Sequence, residues 1–432
     1  MNLAESLKLL IEEPPYRDSD ETRLPKEWSQ ARAAALLDEL APSGVRSVLL
    51  TDPWNIVYYT GLWAATTERP LYALLSAGED APFWFYPTLD RDLVHEWWFG
   101  DGLEYFDFPH VADQFPYRGL ASNGAAVDLW EMAVEGIRRS GRVGEHPMGI
   151  DRLPSDARRS AAENLLGTSV VDISHVCMGM RMRKTPEELA LIRRAYTYFD
   201  EVHAFARQTL LERGRALTDF DLRMSMIDFA TKRIVPDLDL DGRPHRGVGV
   251  VVDLGWVRAG AVTGYPHPNQ FRYAPITADT ALQVSGVIQI GGYGGECYRP
   301  YLFQQRTARM ERVWRVVRDS CLLQQDALRA GAVCGDVAAR IHRFQIDEGM
   351  ADLIYHRPAH GQGPERHQPP WLALGDQTVL EPGMCFSVEP GLYDPTAGFS
   401  VNFSDTFVVQ ESGPAVAMSR VPWTEEWSWI DI

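Results

Sequence analysis

Residues 183–213 constrain this chain more than any other stretch. In RKTPEELALIRRAYTYFDEVHAFARQTLLER, Thr185 can cap a helix, Pro186 fits its first position, and Glu188 completes a capping box. Leu189, Ile192, Tyr196 and Phe199 then recur at helical spacing and give the helix one apolar face. A long helix opening after the apolar VVDIS (170–174) marks the start of a new domain. A chain of 432 residues is also too long for one ordinary core. The sequence therefore predicts a domain over residues 1–178, with 1–27 as an N-terminal arm, and a second domain over 179–432.

The two halves differ in texture. Before the boundary, WSQARAAALLDELA (28–41) has helical spacing and RSVLL (46–50) is a short apolar run. NIVYYTG (55–61), LYALLS (71–76) and APFWFYP (81–87) read as strands. Helices alternating with strands predict an α/β domain on a mixed or parallel sheet. After the boundary, helical stretches (186–213, 217–233, 308–330, 334–349) alternate with Gly-rich, strand-like ones (247–254, 285–303, 383–393, 399–410). That pattern predicts an α+β domain, an antiparallel sheet covered by helices.

Charge narrows the function. There are 59 acidic and 42 basic side chains, a formal net charge of -17, and such a surface repels phosphate backbones. Nucleic acid is therefore not an expected partner. No run approaches the roughly 20 apolar residues that cross a bilayer, so no membrane partner is expected either. The first residues lack the pattern of a signal peptide, and the five Cys (177, 297, 321, 334, 385) show no CxxC spacing. These features lead us to expect reduced thiols in a cytoplasmic protein.

Candidate chemistry gathers in the C-terminal half. His267 sits in GYPHPNQ, Glu296 in GGYGGECYRPYLF, His360 and His367 in HRPAHGQGPERHQPPW, and Glu389 in FSVEPGLY. Each lies among glycines, prolines or strand residues, where side chains can converge on a cleft. A lone His is more often a satisfied core or surface residue than a ligand, so no single one of these is specific. Two His seven apart cannot share a helix turn, but they can face one strand or flank a turn.

The order of the segments is specific. KTPEELALIRRA, an isolated His before a Gly-rich strand, HGQGPERHQPPW, LEPGMCFSVEPGLY and VNFSDTFVV together resemble the creatinase and Xaa-Pro peptidase family. TDPWNIVYYTGLWAATTERP is similar to that family's N-terminal domain. The resemblance implies the pita-bread fold in the C-terminal domain. It also implies a site for two metal ions, with ligands in the order Asp, Asp, His, Glu, Glu. Those places fall on Gln289, Glu296, His360, Glu389 and Ser404 of this chain. Two of the carboxylates are missing and one is lengthened by a methylene.

Two carboxylates and a His can balance one divalent ion, and a hydroxyl at 404 cannot bridge a pair. The expectation is a single ion at most (Fe, Zn or Mn), held by Glu296, His360 and Glu389, and no organic cofactor. The resemblance implies His267 as the acid/base, with His367, Glu296 and Glu389 as the other catalytic residues. Arg69, His360, Tyr298 and Trp63 are expected on the substrate, Arg69 through the resemblance and Trp63 as a ring that can stack on a cation. Arg69 would reach the partner's site, which implies a homodimer. The function expected is a hydrolase or lyase that cleaves a C–N or similar bond in a small, cationic or amino-acid-derived substrate. The alternatives are an Xaa-Pro aminopeptidase or dipeptidase, an onium lyase similar to dimethylsulfoniopropionate lyase, and a catalytically silent binding member.

Overall fold

The computed structural model describes residues 3–64, 67–96, 101–105, 128–238, 249–268, 273–304 and 306–432. They form two compact units, Leu24–Arg181 and Met1–Arg23 with Met182–Ile432. The second unit therefore includes the N-terminal arm and its short helix α1 (Ala4–Leu7).

In the Leu24–Arg181 unit the helices are α2 (Lys26–Leu40), α3 (Pro53–Thr60), α4 (Arg91–Glu96), α5 (Leu129–Ser140), α6 (Asp156–Leu166) and α7 (Ser174–Met182), which leads out of it. The strands are β1 (Ser47–Leu50), β2 (Tyr72–Ser76), β3 (Phe83–Pro87), β4 (Gly102–Tyr105), β5 (Met148–Ile150) and β6 (Val170–Asp172). Among the described residues they pair in the order β4-β3-β2-β1-β5-β6. The β1–β2 and β2–β3 pairs are antiparallel and the other three are parallel, so the sheet is mixed. Its core packs Leu49, Leu74, Met148 and Ile150 against Trp130, Val134 and Ile137 of α5.

NIVYYTG forms α3 and not the expected strand. Asp52 accepts from the backbone N–H groups of Trp54 and Asn55 at 2.9 and 3.3 Å, and Pro53 takes the first helical position. Gly61 ends the helix at φ 76°. The aromatic and β-branched residues favour a strand, but chemistry at both ends outweighs that preference.

In the other unit α8 (Pro186–Arg213) begins with the expected capping box. The Thr185 N–H donates to Glu188 Oε2 at 2.8 Å, and the Glu188 N–H donates to Thr185 Oγ1 at 3.4 Å. Ile192, Tyr196 and Phe199 are buried on its apolar face. The arm lies along this helix: Ser6 Oγ donates to Gln208, and Glu13 pairs with Arg193 at 2.8 Å and with Arg420 at 2.7 Å. Further helices are α9 (Asp219–Leu238), α10 (Ala308–Ala327), α11 (Cys334–Asp347) and α12 (Glu425–Ser428).

The strands of this unit are β7 (Val251–Asp253), β8 (Arg258–Ala259), β9 (Ala281–Val284), β10 (Val287–Ile290), β11 (Tyr293–Glu296), β12 (Arg299–Leu302), β13 (Ala359–Gly361), β14 (Gln368–Leu372), β15 (Cys385–Val388), β16 (Leu392–Asp394), β17 (Phe399–Val401), β18 (Asp405–Val408) and β19 (Val416–Ala417). Among the described residues they form four sheets, β11-β10-β7, β12-β9-β8, β14-β13-β15-β18-β19 and β16-β17, and their strand pairings are antiparallel. Trp314, Val313 and Val317 of α10 pack on Leu302 and Val401, while Val337 and Ala338 of α11 pack on Leu372 and Phe386. An antiparallel framework covered by helices is the architecture expected for this half.

Candidate active site

Glu296 ends β11, and α8 holds that end in place. Tyr196 donates its hydroxyl to the Glu296 carbonyl at 2.6 Å and bonds Thr406 Oγ1 at 2.7 Å. A Cβ at Gly295 would stand 2.8 Å from the Tyr196 hydroxyl, so the absence of a side chain lets helix and strand approach. One residue on, the Cys297 carbonyl meets His203 Nε2 at 3.1 Å. Buried Arg299 pairs with Asp405 at 3.0 Å and donates to the Ser404 carbonyl at 2.8 Å, fastening β12 to β18.

His360 and His367 belong to one antiparallel hairpin. His360 lies in β13, and His367 immediately precedes β14. The pairing shifts between His360 and Gly361, so that His360 faces Trp371 and Gly361 faces Gln368. Added side-chain bulk at Gly361 would meet the Gln368 carbonyl at 2.7 Å. This bulge stacks the two imidazoles, with centroids 3.8 Å apart and planes 17° from parallel.

The donor atoms of Glu296, His360 and His367 lie within 4.8 Å of one another, the spread of a metal-binding group. His367 Nε2 is 3.7 Å from Glu296 Oε1, and His360 Nε2 is 3.6 Å from Glu389 Oε1. His360 Nδ1 faces the Gly361 carbonyl at 3.0 Å and so carries the proton. That leaves a lone pair on His360 Nε2, which is buried and has no hydrogen-bond partner. An orphaned, lone-pair-bearing imidazole nitrogen beside a carboxylate and a second imidazole fits a divalent ion.

Electrostatics separate the two carboxyls. Burial opposes ionisation of Glu296, but His367, His360 and the Ser387 hydroxyl outweigh it and hold its pKa below the ordinary value. Burial, aided by the charge of Glu296, pushes Glu389 well above the usual carboxylate range, with Arg357 acting in opposition. Burial pulls His360 down to about 4, so its imidazole is neutral and able to ligate near neutral pH.

The places where the resemblance implies further carboxylates hold neutral groups. Gln289 is buried and donates its amide to the Gly292 carbonyl at 3.1 Å. Ser404 Oγ lies 3.4 Å from Ser387 Oγ, which in turn donates to Glu296 Oε2 at 3.2 Å. Ser404 therefore borders the site through Ser387. The expected metal set joined Glu389 to Glu296 and His360; the donor group places His367 with them, and Glu389 stands beside His360.

Tyr298 follows the cluster in the chain; burial first, then the charges of Glu296 and Glu389, raise its pKa well above the ordinary value. His267 lies outside the donor group. It is exposed, its ring stacks on Trp256 at 5.3 Å, and its charge acts on His356. Arg69 and Trp63 belong to the Leu24–Arg181 unit. Arg69 pairs with Glu68 at 2.6 Å and lines a cavity of about 690 Å³, and Trp63 packs edge-on to Trp54 at 6.1 Å.

Sequence reasoning missed several contributors. Ser387 orients Glu296, and a lone Ser in a strand gives no motif. His356 bonds the Arg357 carbonyl through Nδ1 at 2.8 Å and so accepts at Nε2 from the Tyr393 hydroxyl, 3.1 Å away. Its position four residues before His360 was the available signal.

Residues 190–411 match the sequence profile of metallopeptidase family M24. An Xaa-Pro dipeptidase of Lactobacillus delbrueckii subsp. lactis is 26% identical over 87% of this chain and 93% of its own. A creatinase of a Bacillus species is 24% identical over 90% of each chain. The crystal structure of dipeptidase PepE from Mycobacterium ulcerans superposes with TM-score 0.72 at 20% identity, covering 95% of this chain and 100% of that one. An X-Pro aminopeptidase from Thermotoga maritima also gives 0.72, at 16% identity over 93% of this chain and 99% of its own. The pita-bread architecture and the profile match over residues 190–411, half of the chain, lead to one conclusion: the chain belongs to metallopeptidase family M24.

Proposed function

We propose that this enzyme hydrolyses a C–N bond in a small, amino-acid-derived substrate, with at most one divalent ion per subunit. The observation that carries the reading is His360 Nε2, buried and unpartnered beside Glu296 and His367, while Gln289 and Ser404 contribute no charge. Glu296, His360 and His367 would hold the ion, and Glu389 stands next to it. When bound, a divalent ion supplies Lewis-acid polarisation of the bond to be cleaved. Ser387 fixes the orientation of Glu296, and the Gly361 carbonyl fixes the tautomer of His360. His267 keeps the proton-transfer role that the family resemblance implies for it.

A second reading, Xaa-Pro dipeptidase, is favoured by relatives with that name that match nearly the whole chain. One substrate panel separates the two. Xaa-Pro dipeptides and small non-peptide amides and ureas are each assayed with protein of known metal content. Turnover of the non-peptide class with one ion or fewer supports the first reading. Turnover restricted to Xaa-Pro dipeptides, and rising with a second ion, favours the other.

A further inference from the structure

Thr22 and Arg23, the last residues of the N-terminal arm, lie on the turn between β10 and β11. Gly291 in that turn has φ 56°, and a Cβ there would stand 2.7 Å from both the Thr22 carbonyl oxygen and the Arg23 Cα. β11 runs from this turn to Glu296, and Gln289 of β10 donates to the turn's Gly292 carbonyl. The arm therefore sits on the turn of a hairpin whose far end carries Glu296.

Earlier in its course the arm follows the turns of α8 around Tyr196, the residue that holds the Glu296 carbonyl. The Ser19 N–H donates to the Ala190 carbonyl at 3.2 Å, and Thr197 Oγ1 donates to Asp18 at 2.7 Å. Arg194 donates to the carbonyls of Ser19 and Glu21 at 3.2 and 2.8 Å. Arg193 is buried and meets Glu13 at 2.8 Å, Asp18 at 3.7 Å and Asp200 at 3.2 Å. Burial opposes its charge, and these three carboxylates hold its pKa above the ordinary value. A buried cation is costly once its partners leave, and two of the three belong to the arm. The arm is thus tied to α8 by a charge that the helix cannot satisfy as well without it.

We propose that the arm is a positioning element for Glu296. Glu13 and Asp18 lock it on Arg193, and the locked arm holds α8 and the β10–β11 hairpin where the donor group needs them. Glu13 and Asp18 act through Arg193 and are not ligands. The consequence for the ion rests on the one-ion reading above. The groups that orient a ligating side chain are worth roughly 10- to 100-fold in metal affinity, so a loosened arm should be felt at the ion.

The test uses the full chain and a Glu13→Gln, Asp18→Asn double variant, with two readouts. Amide hydrogen exchange of the metal-free protein should quicken roughly 10-fold over residues 287–297 and stay unchanged over 359–372. Mn²⁺ affinity, measured by chelator competition, should fall roughly 10-fold. A Glu13→Asp, Asp18→Glu variant keeps both charges and should behave nearly as wild type. The single variant Glu13→Gln leaves Asp18 on Arg193. It should move both readouts the same way by a smaller amount, and it carries the test if the double variant does not fold. A lower urea midpoint with both readouts unchanged would give the arm a purely structural role and overturn the proposal. Exchange that quickens equally over 287–297 and 359–372 would overturn it as well. A wild type that binds no Mn²⁺ removes the ion from the reading above, and the exchange result alone then decides the role of the arm.

Discussion

At the scale of single residues, the site depends on groups that fix other groups. Ser387 donates to Glu296 Oε2 at 3.2 Å and touches Ser404, so Ser387→Ala should weaken metal binding roughly 10- to 100-fold with the fold intact. A chelator competition titration measures this; unchanged affinity would remove Ser387 from the site. His267→Ala should lower turnover roughly 100-fold with little change in KM, because a proton-transfer group acts in the transition state. If that variant keeps full turnover while His367→Ala loses it, the proton belongs to His367. The residue types of the site were legible in the sequence, because Glu296, His360, His367 and Glu389 each stand in a Gly- or Pro-rich segment. Their mutual contacts were not legible, since the stacking of His360 on His367 depends on a two-residue register shift in a hairpin.

At the scale of elements, α8 carries the framework. Thr185 caps it, and Tyr196 and His203 hold the carbonyls at the end of β11. Thr185→Ala should cost about 1 kcal/mol, read as a lower urea midpoint by a probe in the Met182–Ile432 unit. His203 also sets part of the acid response. Burial, with the Arg299 charge added, holds its pKa down at about 3. The unfolded chain therefore binds a proton that the folded chain refuses between pH 6.5 and about 3. Stability must fall as pH drops through that window. His203→Gln removes this contribution, so its melting temperature should decline less steeply than that of wild type from pH 7 to pH 4; parallel curves would refute the assignment. Capping chemistry made α8 readable from its first turn. The same chemistry at Asp52 and Gly61 decides α3 against the strand that the aromatic composition of NIVYYTG predicts.

At the scale of the whole molecule, the chain belongs to family M24. We propose a homodimer, because the family resemblance carries Arg69 of one subunit to its partner's site. Sedimentation should find a dimer, and a fully active monomer would remove that role. The central claim is the charge count: Gln289 and Ser404 are neutral, and both are committed to neighbours within the chain. Elemental analysis of the purified protein, scored as divalent ions per subunit, tests it directly. The account predicts one ion or fewer, with a shift toward two in a Gln289→Asp, Ser404→Glu double variant. Two tightly bound ions per subunit in the unaltered protein would contradict it.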